Sequence, residues 1–166
     1  LLHKDDHKHK QIKMEEILGD IYCWFESLYG KPLSEYLWGY DCQTEAYDAD
    51  LLYNQFGLIA IATAVFVPII YYYWWNPVRR QQLRYWGLMA AAGALNGVVA
   101  YWRLSGHLED GLIGDCLLYN GEGGQVIGGM NIVMFGVADF IVTCGYFFIA
   151  SIIMKRGSKA VRHYPF

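Results

Sequence analysis

Charged residues are scarce in this 166-residue chain: they make up 17% of it, whereas hydrophobic residues make up 55%. Ordinary soluble domains carry about 25% charged residues, so the deficit argues against a soluble domain. No large basic patch exists outside the lysine- and histidine-rich residues 1–13, which argues against nucleic-acid binding. The composition therefore predicts an integral membrane protein.

Motifs of catalysis and cofactor binding are also lacking. The sequence has no H-E-x-x-H, no phosphate-binding glycine loop with its Lys, and no C-x-x-C pair. No histidine lies inside a long apolar run, where haem ligation in a helix bundle would require one. We therefore predict a protein that is not an enzyme and has no cofactor and no metal site.

Three apolar runs are long enough to cross a bilayer as helices, which takes about 20 residues. They cover about 52–75, 85–104 and 127–154, with aromatic residues near their ends, as at membrane interfaces. Pro68 predicts a kink in the first run. We predict an all-α membrane protein: three transmembrane helices, within a domain over 51–155, preceded by an amphipathic N-terminal helix.

Three shorter segments surround the spans. Residues 1–13 have the composition of a leader or tag-like segment, and residues 156–166 form a basic tail. Residues 14–50 are predicted to form an outer amphipathic helix, ending near Gly30, and then an acidic loop in which Ser34 caps a short helix. The apolar face of the amphipathic helix is predicted to comprise Ile17, Ile21, Trp24, Phe25 and Leu28.

Charge is distributed unevenly between the connecting segments. The turn after the first span holds Arg79, Arg80 and Arg84, and the C-terminal tail is also basic, whereas 14–50 and 105–125 are acidic. Because cytoplasmic loops are enriched in Lys and Arg, we predict the N-terminus outside and the C-terminus on the cytoplasmic or matrix side. The expected membrane is a bacterial inner membrane or an organelle inner membrane.

Three of the four cysteines lie in the predicted outer segments. In an oxidising compartment, a disulfide between Cys42 and Cys116 would join the N-terminal segment to the second connection. Cys23 would then be left over, and Cys144 lies in the third span. The sequence leaves this disulfide and a set of free thiols as alternatives.

Asp139 lies near the middle of the third span, where a charge is costly because hydrocarbon does not solvate it. It either lines an ion or proton pathway or is a structural acid, with Asn96 of the second span as its expected partner. Gly93, Gly97 and Gly136 predict close helix packing, since small residues let helices approach in lipid.

Three short helices are expected to shield Asp139 poorly from lipid, so the chain is predicted to assemble. The predicted function is a non-enzymatic membrane subunit that packs, through its helices, into a homo-oligomer or onto other membrane-protein subunits. The alternative is a self-assembling ion-conducting pore, in which Asp139 or an acidic outer mouth favours cations. That mouth comprises Asp48, Asp50, Glu109 and Asp110.

Overall fold

The computed structural model describes residues 18–47, 51–71, 81–119 and 123–157, and the described chain is mostly helical. The predicted leader and nearly all of the basic tail lie outside the described residues. In chain order the elements are α1 over 18–23, α2 Glu26–Tyr29, α3 Lys31–Leu37, β1 Tyr40–Asp41, β2 Ala46–Tyr47, α4 Leu52–Ile69, α5 Gln81–Glu109, α6 Asp115–Leu118 and α7 Gly129–Gly157.

The long helices α4, α5 and α7 form a bundle in which α7 packs against both of the others. Among the described residues, Leu52–Ile69 and Gly129–Met154 are long and apolar enough to cross a membrane. Helix α5 has 29 residues, which is a sufficient length, but its polar and glycine residues make it less apolar. The structure thus has two candidate membrane-spanning helices, and a third span remains a prediction.

Pro68 lies buried inside α4, where it cannot donate a backbone hydrogen bond to the preceding turn. A π-helical turn follows at 70–71, so the regular α-helix ends just after the proline. The kink itself remains a prediction, and residues 72–75 of the predicted span lie outside the described residues.

The N-terminal segment contains more helix than the sequence indicated. Gly30 ends α2 with a φ of 92°, a conformation that glycine adopts without strain. Pro32 does not begin a loop but lies in the first turn of α3, where a missing N–H costs nothing. The expectation that Ser34 caps a helix is wrong, because Ser34 lies inside α3 and is buried.

The buried face of the N-terminal helices also differs from the predicted one. Trp24 is 80% exposed and Leu28 is 47% exposed, although both were expected on the packed face. The side chains that are fully buried there are Tyr22 and Tyr29. Tyrosine takes these positions because its hydroxyl reaches polar groups inside the bundle, as described below.

A small hairpin and a disulfide lie at the end of the bundle where α4 and α7 begin. Strands β1 and β2 pair antiparallel, with Tyr40 opposite Tyr47. Cys42, directly after β1, forms a disulfide with Cys116 of α6, and the two Cα atoms are 6.0 Å apart. We call this the disulfide end of the bundle.

Helices α5 and α7 approach closely at a pair of glycines. A Cβ atom added to Gly97 would lie 2.7 Å from the carbonyl oxygen of Gly136, and one added to Gly136 would lie 2.9 Å from that of Gly97. One turn away, a Cβ on Gly93 would lie 2.8 Å from the ring of Phe140. A larger side chain at these positions would push the helices apart.

The described buried apolar residues form two clusters. The larger lies at the disulfide end and contains four tyrosine and phenylalanine rings in mutual contact; we call it the tyrosine core. Its members are Tyr22, Tyr29, Leu33, Leu37, Leu52, Tyr53, Phe56, Ala100, Leu104, Ile113, Leu117, Ile127, Ile132, Phe135, Ala138 and Val142. The smaller, at the opposite end, consists of Ala64, Ala92 and Phe147; we call this the alanine end.

Candidate functional site

The polar interior of the disulfide end is the most unusual feature of the molecule. Asp139 lies about three turns into α7 and is only 2% exposed. The hydroxyl of Tyr22, on α1, donates a hydrogen bond of 2.5 Å to Asp139 Oδ1. The expected partner of this carboxyl group was Asn96, and that expectation is wrong, because α1 inserts between the two long helices and supplies the donor.

A second chain of hydroxyl groups lies beside this pair. Tyr29 Oη is 2.7 Å from Tyr53 Oη, and it also donates to the backbone carbonyl of Tyr22 at 3.0 Å. Tyr53 Oη is 3.0 Å from Ser34 Oγ, which is 3.2 Å from Glu26 Oε2. The chain therefore connects the buried core to a partly exposed carboxyl group on α2.

The hydrogen count of this chain is informative. Its three hydroxyl groups supply three hydrogens, but four contacts lie between the Tyr22 carbonyl and the Glu26 carboxyl group. All four contacts are hydrogen bonds only when Glu26 also carries a proton. Burial raises the pKa of Tyr29 to about 12, so this hydroxyl keeps its proton at neutral pH.

Asn96 belongs to a different cluster, which joins all three long helices. Its Nδ2 donates to Thr143 Oγ1 of α7 at 3.1 Å, and its Oδ1 accepts from Thr63 Oγ1 of α4 at 3.3 Å. Asn96 is 2% exposed and Thr143 is fully buried. Such interhelical bonds are worth about 1 kcal/mol each in membranes, and this cluster accordingly fixes the register of the bundle.

Two further polar contacts fix the disulfide end. Arg103 Nη2 donates to Gln55 Oε1 at 2.5 Å, and its guanidinium group lies 5.9 Å from the centre of the Phe56 ring. Asn131, in the first turn of α7, donates through Nδ2 to the carbonyl of Tyr29 at 2.8 Å and accepts from the N–H of Gly128. The start of α7 is thereby tied to α2.

A groove of about 640 Å³ lies outside the tyrosine core, between α3, β1 and the turn that joins α5 to α6. Tyr36 Oη on α3 is 2.8 Å from His107 Nδ1 on α5, and both residues line the groove. Burial and the nearby Arg103 guanidinium lower the pKa of His107, so its ring is neutral at pH 7. The disulfide between Cys42 and Cys116 forms part of the groove wall.

The sequence-predicted residues thus fall into separate places. Asp139 and Asn96 do not contact each other within the described structure, the three glycines lie at the α5–α7 contact, and the two outer cysteines are bonded. Among the described residues, no group of three or more His, Cys, Asp or Glu side chains is arranged to hold a metal ion.

Sequence reasoning missed Tyr22, Tyr29 and Tyr53. The signal was present in part: Tyr22 and Tyr29 are seven residues apart, so a helix places them on one face. Their polarity ranked them below tryptophan and leucine as core candidates, whereas their hydroxyl groups are the reason for their burial. Comparison with known proteins finds no family model, no curated protein and no solved structure that matches this chain.

Proposed function

We propose that this chain is a non-enzymatic integral membrane subunit that assembles, through its helices, into an oligomeric or multi-protein membrane complex. One observation carries the proposal: along the central parts of all three long helices, every described exposed side chain is apolar, small or aromatic. These residues are Leu58, Ile59, Ala62 and Phe66 on α4, Trp86, Gly87, Ala90, Ala91, Ala94, Leu95, Val98, Tyr101 and Trp102 on α5, and Met130, Val133, Val137, Ile141, Gly145, Phe148, Ile149 and Ile153 on α7.

This distribution is the reverse of that in a soluble helical bundle, whose exposed face is charged or polar. Here the polar side chains Asp139, Asn96 and Thr143 are buried, and the exposed surface is apolar. A bilayer is the environment in which both features are favourable, because buried polar groups pair with each other and apolar surface needs no water.

The same reasoning supports α5 as a third span. Arg84 is exposed near its start and Arg103 lies near its end, and no charged residue lies between them. At 1.5 Å per residue the two arginines are separated by about 29 Å along the helix, close to the roughly 30 Å thickness of the hydrocarbon layer. Both side chains can extend to an interface.

Assembly is supported by the exposed face of α5. Gly87, Ala90, Ala91 and Ala94 recur at helical spacing, and all four are exposed in the single chain. Small residues on a membrane helix permit close approach of a second helix, which gains packing contacts that lipid tails do not supply.

The pore alternative has less support. Asp139 is covered by Tyr22 of the same chain, so it does not lie on the surface that copies of this chain would share. This coverage also removes the need for an oligomer to shield the carboxyl group, and the case for assembly now depends on α5. We place the disulfide end in an oxidising compartment, with the basic turn and tail on the cytoplasmic or matrix side of a bacterial or organelle inner membrane.

The mass of the particle in lipid nanodiscs, measured by native mass spectrometry, tests the proposal. We expect a mass above that of the single 19.0 kDa chain, from further copies or from other polypeptides. Ala91→Phe should reduce the mass toward one chain, because a large ring blocks the small face of α5. Ala62→Phe is the matched control, since Ala62 is also exposed but lies on α4.

Two results would contradict the proposal. The wild-type chain could be found as a single copy at every concentration, with no other polypeptide attached. Equal effects of the two phenylalanine variants would show that the face of α5 has no special role in assembly.

A further inference from the structure

The groove beside the disulfide has features of a recognition site that the packing of the bundle does not explain. Its volume of about 640 Å³ lies within the range of roughly 300–1,000 Å³ typical of ligand sites. It is therefore too small for a folded domain but large enough for a few residues of an extended segment.

The walls of the groove are rigid. The disulfide fixes β1 to α6, and the hydrogen bond between Tyr36 and His107 fixes α3 to α5. A site whose walls are already ordered loses little conformational entropy when it binds a ligand. The rim is accessible, since Leu112 is 60% exposed and Asp115 is also exposed.

The groove carries negative charge without a matching cation. Asp41 and Asp115 both line it, and none of its described lining residues is Lys or Arg. Asp41 Oδ1 accepts from the backbone N–H of Gln43, which orients the carboxylate but does not neutralise it. His107 contributes no positive charge at pH 7 for the reason given above.

The surrounding surface has the same sign of charge. In the described parts of 18–47 and 105–128, the only lysine is Lys31, which lies 3.7 Å from Glu35. The acids in these parts are Asp20, Glu26, Glu35, Asp41, Glu45, Glu109, Asp110 and Asp115. This excess produces a negative potential that attracts cationic segments toward the groove.

We propose that the groove binds an extended segment of a partner protein that carries lysine or arginine, with Asp41 and Asp115 as the acceptors. Tyr36 and Tyr40 supply aromatic faces for the cation and for its aliphatic stem. Exposed Leu112 contacts an apolar residue next to the cation. This inference rests on the proposed function, because it names the kind of partner that a membrane subunit would recruit.

Peptide binding to the full chain in nanodiscs of zwitterionic lipid tests the inference. The probe is a fluorescein-labelled nine-residue peptide in which lysine alternates with valine and serine, and its control has glutamine at each lysine. Fluorescence anisotropy at low salt should show at least about tenfold tighter binding of the lysine peptide.

Two double variants separate the groove from the general charge of the surface. Asp41→Asn with Asp115→Asn should weaken binding of the lysine peptide roughly tenfold or more. Asp20→Asn with Asp110→Asn removes the same charge from exposed residues outside the groove lining, and it should change the affinity less than about twofold. Alkylation and mass spectrometry verify that each variant retains the disulfide.

The outcomes also distinguish this inference from the proposed function. No binding by the wild-type chain, or equal losses in the two double variants, would overturn the groove as a site even if the particle is an assembly. Selective binding by a chain whose native mass is that of one copy would support the groove and refute assembly.

Discussion

At the disulfide end, sixteen buried apolar side chains form one cluster, and hydrogen bonds, aromatic contacts and a disulfide add to it. At the alanine end, the described cluster has three members, Ala64, Ala92 and Phe147, and two of them are the smallest chiral side chain. The two ends belong to the same three long helices, so the difference comes from the elements packed around them.

Three helices alone enclose little volume. At the alanine end they meet through small side chains, and at the disulfide end α1, α2, α3 and α6 add the walls needed to enclose large rings. In a membrane, apolar contact with lipid is as favourable as contact with protein, so close packing and polar bonds determine the structure. We infer that the disulfide end specifies the fold, while the alanine end follows it.

The largest difference between the ends is expected from Phe135→Ala compared with Phe147→Ala. Both rings are buried, at 0% and 1% exposure, but Phe135 contacts four aromatic rings and Phe147 contacts one in the described structure. The four rings are Tyr22, Tyr29, Tyr53 and Phe56. Phe135→Ala should lower the free energy of unfolding by about 4 kcal/mol, and Phe147→Ala by about 2 kcal/mol.

Titration of the micelle-bound protein with sodium dodecyl sulfate, followed by circular dichroism, measures both values. Equal losses would mean that the two ends contribute alike, and the comparison above would then fail.

The next largest effect is expected from removal of the disulfide. Cys42 and Cys116 are 74 residues apart in sequence, so the bond restricts a long loop in the unfolded chain. Replacing both with serine should reduce the free energy of unfolding by about 3 kcal/mol. Cys144→Ser is the control, because Cys144 is a free thiol in α7. Since α6 would separate from β1, hydrogen exchange should increase in α3 and α6 and remain unchanged in the second half of α7.

Replacement of a glycine at the helix contact should have an intermediate effect. Gly97→Ala places a methyl group 2.7 Å from the Gly136 carbonyl oxygen, so the helices must separate, at a cost of about 2 kcal/mol. Gly145→Ala is the control on the same bundle, because nothing lies within 4 Å of its added Cβ. It should be neutral or slightly stabilising, since alanine favours helix. The same titration compares the two variants, and a loss in Gly145→Ala similar to that in Gly97→Ala would contradict the close contact.

The long helices could be predicted from the sequence because their apolar runs are a local property. The packing role of Gly97 and Gly136 was also accessible, since small residues at helical spacing indicate close approach wherever the partner lies. The third span is less certain by the same logic: α5 contains Asn96 and several glycines, and its mean apolarity is lower although its exposed face is apolar.

The tyrosine core could not be predicted in this way. Ranking by apolarity favours Trp24 and Leu28 as buried residues, and that ranking holds when the surroundings are water. Here the surroundings of the bundle are proposed to be lipid, where exposed Trp and Leu cost little. Asp139 needs a donor, and its donor is 117 residues away in sequence, a distance at which periodicity carries no information.

The smallest effect tests the polar part of the comparison. Tyr22→Phe removes only the hydroxyl that donates to Asp139, leaving a buried carboxyl group without that donor, and it should cost about 1.5 kcal/mol. Tyr146→Phe is the matched control, because the Tyr146 hydroxyl is buried and has no hydrogen-bond partner among the described residues. Its removal should be neutral or stabilising, since it eliminates an unpaired polar atom. If the two variants were equally destabilised, ring packing would account for the role of Tyr22, and the donor to Asp139 would contribute nothing to specifying the disulfide end.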